Sequence, residues 1–302
     1  MDVGKVIATG SEAKPAIAGA APQGTTDTAS AARAVRGMFT AIAPRYDLAN
    51  HLLSFNIDRL WWRRTARTFQ AILSRPESRI LDLCCGTGDM TFALEKQAEK
   101  SHPRILGADF SHAMLERARK KSYASSQRQD EERHDRVGED REGHDFSRAN
   151  RAIGEVRALA PDAGNRTAPD WIEADALNLP FSDARFDLVT SAFGFRNLAD
   201  YDAGLREIVR VLRPGGECGI LDFGEPDGIV GQVYRLYFKR VLPAVGTMIS
   251  GVRGPYEYLP ASVERFPAPQ EMLDRMQHAG FAEASWEPYT FGIAGLYRAK
   301  KS

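Results

Sequence analysis

The sequence predicts an α/β fold, with a mostly parallel seven-stranded sheet, helices on both faces and a C-terminal antiparallel hairpin. Two observations predict it. Short apolar runs of strand character alternate with amphipathic helical patterns along most of the chain, which is typical of parallel strands joined by crossover helices. The last two strand-like runs, 281–289 and 292–300, are separated by a short turn, and such neighbours pair antiparallel.

The individual elements follow from these runs in chain order. The first strand is predicted at 79–84, and an amphipathic helix follows it from Met90. Further strands are predicted at 104–109, 171–175, 186–193 and 217–223. Further helices are predicted around Met114 and Leu115, from 205 to 212 and at 270–279. The tripeptide Pro214-Gly215-Gly216 is predicted to form the turn into the fifth strand.

Two segments lack apolar periodicity and are predicted to lie outside the folded core. Residues 1–33 have no apolar stretch of the secretory type, and we interpret them as a disordered leader. Within 122–168, the run 128–148 holds five Arg and eight Asp or Glu residues. Such a run buries too little apolar surface to offset the loss of backbone entropy on ordering, which costs roughly 1–2 kcal/mol per residue. We therefore predict one domain at 34–302, interrupted by a charged, disordered insertion at 122–168.

Charge, hydropathy and cysteine content exclude several classes of function. Forty basic and forty acidic residues cancel, so the basic excess of a nucleic-acid-binding protein is missing. The sequence has no apolar run of 18 residues, which argues against a membrane-spanning helix. Three cysteines do not form a disulfide framework and suit a reducing cytoplasm. His134 and His144 lack the spacing of metal ligands, so no metal is expected.

The turn after the first strand has the features of a nucleotide-binding loop. Gly86 and Gly88 let the backbone approach a ligand, and the following helix offers free N–H groups. Asp109 ends the second strand, where a carboxylate can accept hydrogen bonds from both hydroxyls of a ribose. Asp175, followed by Ala176, ends the third strand and could meet the edge of an adenine. A helix cap or a surface carboxylate is the alternative for Asp175.

The residues around this loop favour S-adenosyl-L-methionine over a dinucleotide. A dinucleotide fingerprint needs a third glycine where this chain has Thr91, and the loop lacks the Gly-Lys-Ser/Thr ending that cradles phosphates. Asp82, just before the loop, favours a cationic ligand such as a sulfonium. An NAD(P)-dependent oxidoreductase is the alternative from another class, and it would need the missing glycine and a hydride site.

Several long, irregular motifs narrow the assignment. They are found at 38–50, 53–63, 192–197 (Ala-Phe-Gly-Phe-Arg-Asn), 211–216, 256–263 and 290–294. Through these motifs the chain from about 36 to 300, apart from the insertion, resembles the menaquinone/ubiquinone biosynthesis C-methyltransferases. The resemblance implies a Rossmann-like class I fold and a C-methyltransferase that uses S-adenosyl-L-methionine.

The resemblance also implies which residues hold the cofactor. The family's cofactor-binding positions correspond here to Thr87, Asp109, Asp175, Ala176 and Ala192. The family usually carries a serine at position 192, and this chain has Ser191 one place earlier, so a hydroxyl contact there is left open. The Cys84-Cys85 pair resembles the menaquinone branch, and it favours demethylmenaquinol as the methyl acceptor.

The implied reaction moves a methyl group from a sulfonium to a ring carbon of a quinol that loses a phenolic proton. Arg196 and Asn197 follow the fourth strand, and we predict that they act in catalysis, with the guanidinium holding a phenolate or a water. An ion pair of Arg196 with Asp200 or Asp202 is the alternative. Tyr46 is predicted to act from an N-terminal lid, and core packing is its alternative.

A prenylated quinol is the predicted substrate. The stretch 234–249 combines large apolar side chains with Arg and Lys, and it is predicted either to line a tunnel for a prenyl tail near a membrane surface or to pack into the core. A ubiquinone precursor or another small aromatic is the alternative acceptor. A non-catalytic binding protein would be expected to lose the glycine loop. We expect a cytoplasmic protein, either free or at the inner face of the membrane, and leave a homodimer open.

Overall fold

The computed structural model describes residues 19–43, 54, 56–98, 101–139, 169–226, 228–243, 247–248 and 254–302, with the backbone alone at 128–139 and 254–257. Tyr46, which was predicted to be catalytic, lies outside the described residues. Residues 140–168 of the predicted insertion also lie outside them. In the part of the chain that is described, no helix has both the length and the apolar character needed to cross a membrane.

A seven-stranded sheet forms the centre of the fold, in the order β3-β2-β1-β4-β5-β7-β6. Its strands are β1 (Arg79–Leu83), β2 (Arg104–Asp109), β3 (Asp170–Glu173), β4 (Phe186–Ala192), β5 (Leu212–Phe223), β6 (Phe281–Tyr289) and β7 (Ala294–Lys301). The first five strands run parallel, and β7 pairs antiparallel with β5 and β6. The predicted sheet and its C-terminal hairpin are confirmed.

Helices surround this sheet. They are α1 (Thr28–Ile42), α2 (Ile57–Thr68), α3 (Gln70–Leu73), α4 (Asp89–Gln97), α5 (His112–Glu139), α6 (Tyr201–Val211), α7 (Gly228–Leu236), α8 (Gly254–Arg265) and α9 (Pro269–Ala279). Capping residues set their ends. The carboxylate of Asp27 accepts from the backbone N–H of Ser30 at 2.7 Å and begins α1. Proline at position 269 begins α9, and Gly280, with φ of 111°, ends it.

Two apolar layers, one on each face of the sheet, form the core. Neighbouring residues of a strand point to opposite faces, so Leu81 packs in one layer while Ile80 packs in the other. The first layer takes in the buried faces of α6 and α9, with Leu205 and Met272 fully buried. The second layer contains Phe69 and the apolar side chains of α2 and α4. A full apolar cover on both faces is what parallel strands require.

A third apolar cluster lies above the carboxyl ends of the strands. It joins Ile42 of α1, Met114 of α5, Tyr234 of α7, Phe238 of the π-helical turn that follows α7 (Tyr237–Val241), and Val263 of α8. The loops that follow β1, β2, β4 and β5 meet at the same edge of the sheet, because parallel strands end on one side. This cluster therefore covers the edge at which the glycine loop was predicted to bind a ligand.

Parts of the predicted leader and of the predicted insertion belong to elements that the structure describes. The predicted leader contributes to the fold: the backbone N–H of Ala20 donates to the carbonyl of Leu198 at 2.7 Å, and α1 begins at Thr28. The predicted insertion begins at 122, whereas α5 continues to Glu139. A helix needs no buried face for its backbone hydrogen bonds, so a polar sequence can extend an existing helix.

The predicted turn at 214–216 is also different in the structure. These residues lie within β5, where Phe186 pairs with Leu212 but Leu188 pairs with Glu217. The extra residues form an irregularity in the strand, with Gly215 at a φ of 74°. A strand can absorb extra residues as a bulge, which a Pro-Gly-Gly sequence does not distinguish from a turn.

Leu205→Ala is expected to lower the free energy of unfolding by about 2–5 kcal/mol, since the truncation leaves a cavity in a fully buried layer. Leu236→Ala is the matched control, because Leu236 is 57% exposed and its loss creates no cavity. Urea denaturation followed by circular dichroism measures both. Equal losses for the two variants would contradict the placement of α6 against the sheet.

Candidate active site

A cavity of about 550 Å³ opens at the carboxyl edge of the sheet. The predicted site residues that line it are Asp82, Gly86, Thr87, Asp109, Ala192, Arg196 and Asn197. The structure thus brings together residues from three strand ends that are up to 115 positions apart in the sequence. Gly88, Asp175 and Ala176 are described but lie outside the lining. Asp175 is exposed, and its carboxylate accepts from the backbone N–H of Leu177 at 2.9 Å.

The two glycines of the loop have different roles. Both adopt left-handed conformations, with φ of 56° at Gly86 and 89° at Gly88. A Cβ added to Gly86 would meet no atom within 4 Å, so this glycine faces open space at the cavity. A Cβ added to Gly88 would lie 2.5 Å from the ring of Trp171. Gly88 therefore makes room for a tryptophan of β3, whereas Gly86 leaves open space at the cavity.

Asp109 is held in place by the glycine loop. Its carboxylate accepts from the backbone N–H of Gly86 at 2.9 Å and from that of Ser111 at 2.8 Å. Burial raises the pKa of Asp109 to about 6, and the charge of Arg36 on α1 opposes that rise. The carboxylate is thus ionised at neutral pH and oriented by two backbone donors before any ligand arrives.

Asp82 is fully buried and connects three elements. Its carboxylate accepts from the hydroxyl of Thr190 on β4 at 2.8 Å and from that of Thr91 on α4. Burial raises the pKa of Asp82 to about 6, because the ionised form is poorly solvated. Asp82 therefore places a partly satisfied negative charge behind the glycine loop and also ties β1 to its neighbours.

A lysine that was not predicted as a site residue contacts the glycine loop. Lys121 of α5 donates to the hydroxyl of Thr87 and to the carboxylate of Asp89, both at 2.9 Å. The sequence contains no signal for this contact, because Lys120 and Lys121 look like part of a solvated charged face. The ammonium group links α5 to the loop and orients the Thr87 side chain.

Arg196 forms a buried ion pair, although with a different partner from the two considered in the sequence. Its guanidinium donates to the carboxylate of Asp222 on β5 at 2.8 Å, and both side chains are almost completely buried. Asp200 instead caps α6 by accepting from the N–H of Ala203 at 2.9 Å, and Asp202 pairs with Arg275. The suggested pairing with Asp200 or Asp202 was wrong, because neither carboxylate is available to the guanidinium.

The two cysteines at the end of β1 are neutral thiols. Burial raises the pKa of Cys84 and of Cys85 well above the usual value, and the charges of Asp109 and Asp82 raise it further. Thiolates are the reactive form of cysteine, so neither residue has the character of a nucleophile.

Aromatic side chains form the other part of the cavity. The ring centroids of Phe193 and Phe223 are 4.6 Å apart, and Trp61 lies 5.8 Å from Phe193. Phe238 continues the wall at 5.9 Å from Phe223, and Tyr234 stacks on Phe238 at 4.9 Å. Arg196 places its guanidinium 5.1 Å from the Phe223 ring. The cavity thus has a polar half at the glycine loop and an aromatic half beside the ion pair.

Comparison with known proteins identifies the family of the chain. The sequence profile of the ubiE/COQ5 methyltransferase family matches residues 26–132 and 132–301. The chain belongs to this family. Its membership confirms the predicted methyltransferase, with S-adenosyl-L-methionine as cofactor, and excludes the NAD(P)-dependent alternative.

Relatives from several organisms resemble the chain over most of its length. A demethylmenaquinone methyltransferase of Thermus thermophilus is 44% identical over 86% of this chain and 98% of its own length. The enzyme of the same name from Deinococcus radiodurans is 40% identical over 89% of this chain and 93% of its own. A mitochondrial 2-methoxy-6-polyprenyl-1,4-benzoquinol methylase of rat is 32% identical over 87% of this chain and 78% of its own length.

A solved structure supports the fold independently of these sequences. A SAM-dependent methyltransferase from Thermotoga maritima, described as a possible histamine N-methyltransferase, superimposes with a TM-score of 0.53. The superposition covers 89% of this chain and all of the other, at 16% identity. The Rossmann-like methyltransferase fold predicted for the ubiE/COQ5 family member is therefore confirmed.

Asp82→Asn is expected to change how stability depends on pH. The pKa of Asp82 is raised from 3.8 to about 6 in the folded state, so its stabilising contribution is complete below pH 3.8 and is lost as the pH rises through 6. The free energy of unfolding of the variant, relative to the native protein, should therefore rise between pH 4 and 6 by on the order of 1–3 kcal/mol. Urea denaturation across this range measures the difference.

Leu236→Ala supplies the control for this measurement. Leu236 is 57% exposed and carries no titrating group, so this variant is expected to change the free energy of unfolding equally at all these pH values. A flat pH profile for Asp82→Asn would show that Asp82 is not held in the environment described.

Proposed function

We propose that this enzyme transfers a methyl group from S-adenosyl-L-methionine to a ring carbon of demethylmenaquinol. One observation carries the proposal: a single cavity of about 550 Å³ joins the glycine loop and Asp109 to a half that is lined by aromatic side chains. The two relatives at 44% and 40% identity, both named demethylmenaquinone methyltransferase, support this acceptor. The rat relative supports a polyprenyl benzoquinol as the alternative acceptor.

The polar half fits the cofactor. The preoriented carboxylate of Asp109 can accept from two ribose hydroxyls, and the open face of Gly86 lets a ligand approach the backbone. Thr87 lines the same loop, and the negative charge of Asp82 behind it favours a cationic ligand. When bound, S-adenosyl-L-methionine supplies an electrophilic methyl group. Ala192 contributes a small side chain to the lining, and Asp175 and Ala176 remain predictions from the sequence.

The aromatic half fits the acceptor ring. Arg196 stays protonated at any working pH, so it is not a base; it stabilises negative charge on a ring oxygen. Asn197 lines the same region, and its amide donates to the carbonyl of Phe193 at 3.4 Å. Overall, the ring exchanges a hydrogen for a methyl group and releases one proton. Shielding by aromatic side chains strengthens the electrostatic effect of Arg196.

A labelled-donor assay tests the acceptor. The native protein is expected to methylate reduced demethylmenaquinol at least tenfold faster than a demethylated ubiquinol precursor of the same prenyl length. Equal rates would favour a dual acceptor range, and a preference for the benzoquinol would replace this proposal by its alternative.

Two carboxylate variants test whether the polar half binds the cofactor. Asp109→Asn is expected to weaken binding of S-adenosyl-L-methionine at least tenfold in calorimetry, because the amide cannot accept from two hydroxyls as the carboxylate does. Asp183→Asn, on an exposed loop, should leave that affinity unchanged. Unchanged affinity of the Asp109 variant would overturn the assignment of the polar half.

We further propose that the enzyme docks on a lipid surface through α7 and the turn after it. Ile229 and Val233 are 80% and 63% exposed, and both also line the cavity, so the exposed apolar surface is continuous with the aromatic half. Arg235 and Arg240 lie exposed beside this surface and complement anionic headgroups. A prenyl tail could then pass from the bilayer into the cavity without crossing water.

Val233→Asp tests the lipid surface, because a charge in the apolar face opposes insertion. We expect at least a fivefold loss of binding to vesicles that contain anionic phosphatidylglycerol, measured by sedimentation. Tyr123→Asp is the matched control, since Tyr123 is also exposed but lies on α5. If sedimentation is unchanged while Val233→Asp alters the oligomeric state, this face contacts a second copy of the chain, and the lipid proposal fails.

A further inference from the structure

Two buried phenols on the acceptor side of the cavity lack hydrogen-bond partners. Tyr234 on α7 is only 9% exposed, and Tyr258 lies on α8. Within the described residues, neither hydroxyl oxygen has a partner, although both oxygens are buried. Buried polar groups are almost always paired, so an exception that lines a ligand cavity points to a partner supplied by the ligand.

Both phenols belong to the same cavity lining as Arg196. Tyr234 stacks on Phe238 of the aromatic half, and α8, which carries Tyr258, packs against the turn that holds Arg196. Burial raises the pKa of both phenols, and the charges of Arg196 and Asp222 also act on it, in agreement with this placement. Asp109 and the glycine loop have their own polar partners, so the phenols are not needed to complete the polar half.

Each phenol remains a hydrogen-bond donor under working conditions. Burial raises the pKa of Tyr258 to about 12 and that of Tyr234 still further, so both stay protonated. Stacking on Phe238 fixes the ring of Tyr234. A neutral, fixed donor beside an aromatic wall is suited to an oxygen attached to an aromatic ring.

We propose that Tyr234 and Tyr258 bind the ring oxygens of the acceptor, and so select a substrate with free hydroxyl groups over one whose oxygens are alkylated. This inference rests on the proposed function, since it concerns the aromatic acceptor of the same site. Each phenol donates to a ring oxygen or accepts from its hydroxyl, and an ether can use only the first of these bonds. A bulky alkyl group on the oxygen would also occupy the space of the phenol.

A binding experiment separates this role from the methyl transfer itself. The ligands are demethylmenaquinol with one prenyl unit, kept reduced without oxygen, and its dimethyl ether. Both are titrated into the full chain in the presence of saturating S-adenosylhomocysteine, so that no turnover occurs. The native protein is expected to bind the quinol at least tenfold more tightly than the ether. Equal affinity for the two ligands would overturn the proposal without any variant.

Phenylalanine variants assign the preference to particular residues. Tyr234→Phe and Tyr258→Phe should each reduce the ratio of the two affinities several-fold, and the double variant should abolish it. Binding of S-adenosylhomocysteine should stay unchanged in all three. Tyr297→Phe is the control, since Tyr297 is a buried phenol outside the cavity lining and packs near Trp286.

The outcomes distinguish this inference from the proposed function. Variants that keep the native circular dichroism and the native preference for the quinol would overturn the roles of the two tyrosines. A preserved ligand preference in the native protein, together with no methyl transfer in the labelled-donor assay, would refute the proposed function alone.

Discussion

The buried ion pair between Arg196 and Asp222 is the interaction on which the aromatic half of the cavity depends. It joins the turn after β4 to β5, and Asp222 also accepts from the backbone N–H of Arg196 at 3.1 Å. The hydroxyl of Tyr201 donates to the carbonyl of Arg196 at 3.0 Å, so α6 is connected to the same turn. Loss of one member of a buried pair typically costs about 3–5 kcal/mol, since the remaining charge has no partner. The ends of β4 and β5 therefore fix the position of Arg196, and with it the place of its positive charge in the cavity.

The sequence predicts the sheet well because burial on both faces leaves a direct record in the residue types. More than half of the residues in β1, β2 and β4 are apolar, and the predicted and observed bounds of these strands differ by at most one residue. Gly86 and Asp109 could be found in the same way, because a turn between a strand and a helix has few uses for such residues at those positions. The polar half of the site was thus predictable from local pattern.

The remaining features depend on contacts between distant parts of the chain. Nothing in the residues near Arg196 indicates Asp222 as its partner, since Asp200 and Asp202 are closer in sequence. The local pattern around Gly88 also does not indicate that Trp171 packs against it. The contact of Lys121 with the loop likewise needs the direction of α5 in space. Such pairings are set by tertiary packing, which single-sequence patterns do not record.

The two halves of the cavity rest on different parts of the fold. The polar half is built from strand ends and backbone N–H groups around Asp109, whereas much of the aromatic half comes from side chains of α7 and α8. Substitutions on these two helices can reshape the aromatic half and leave the hydrogen bonds around Asp109 in place. The architecture therefore allows the shape of one half of the cavity to change independently of the other half.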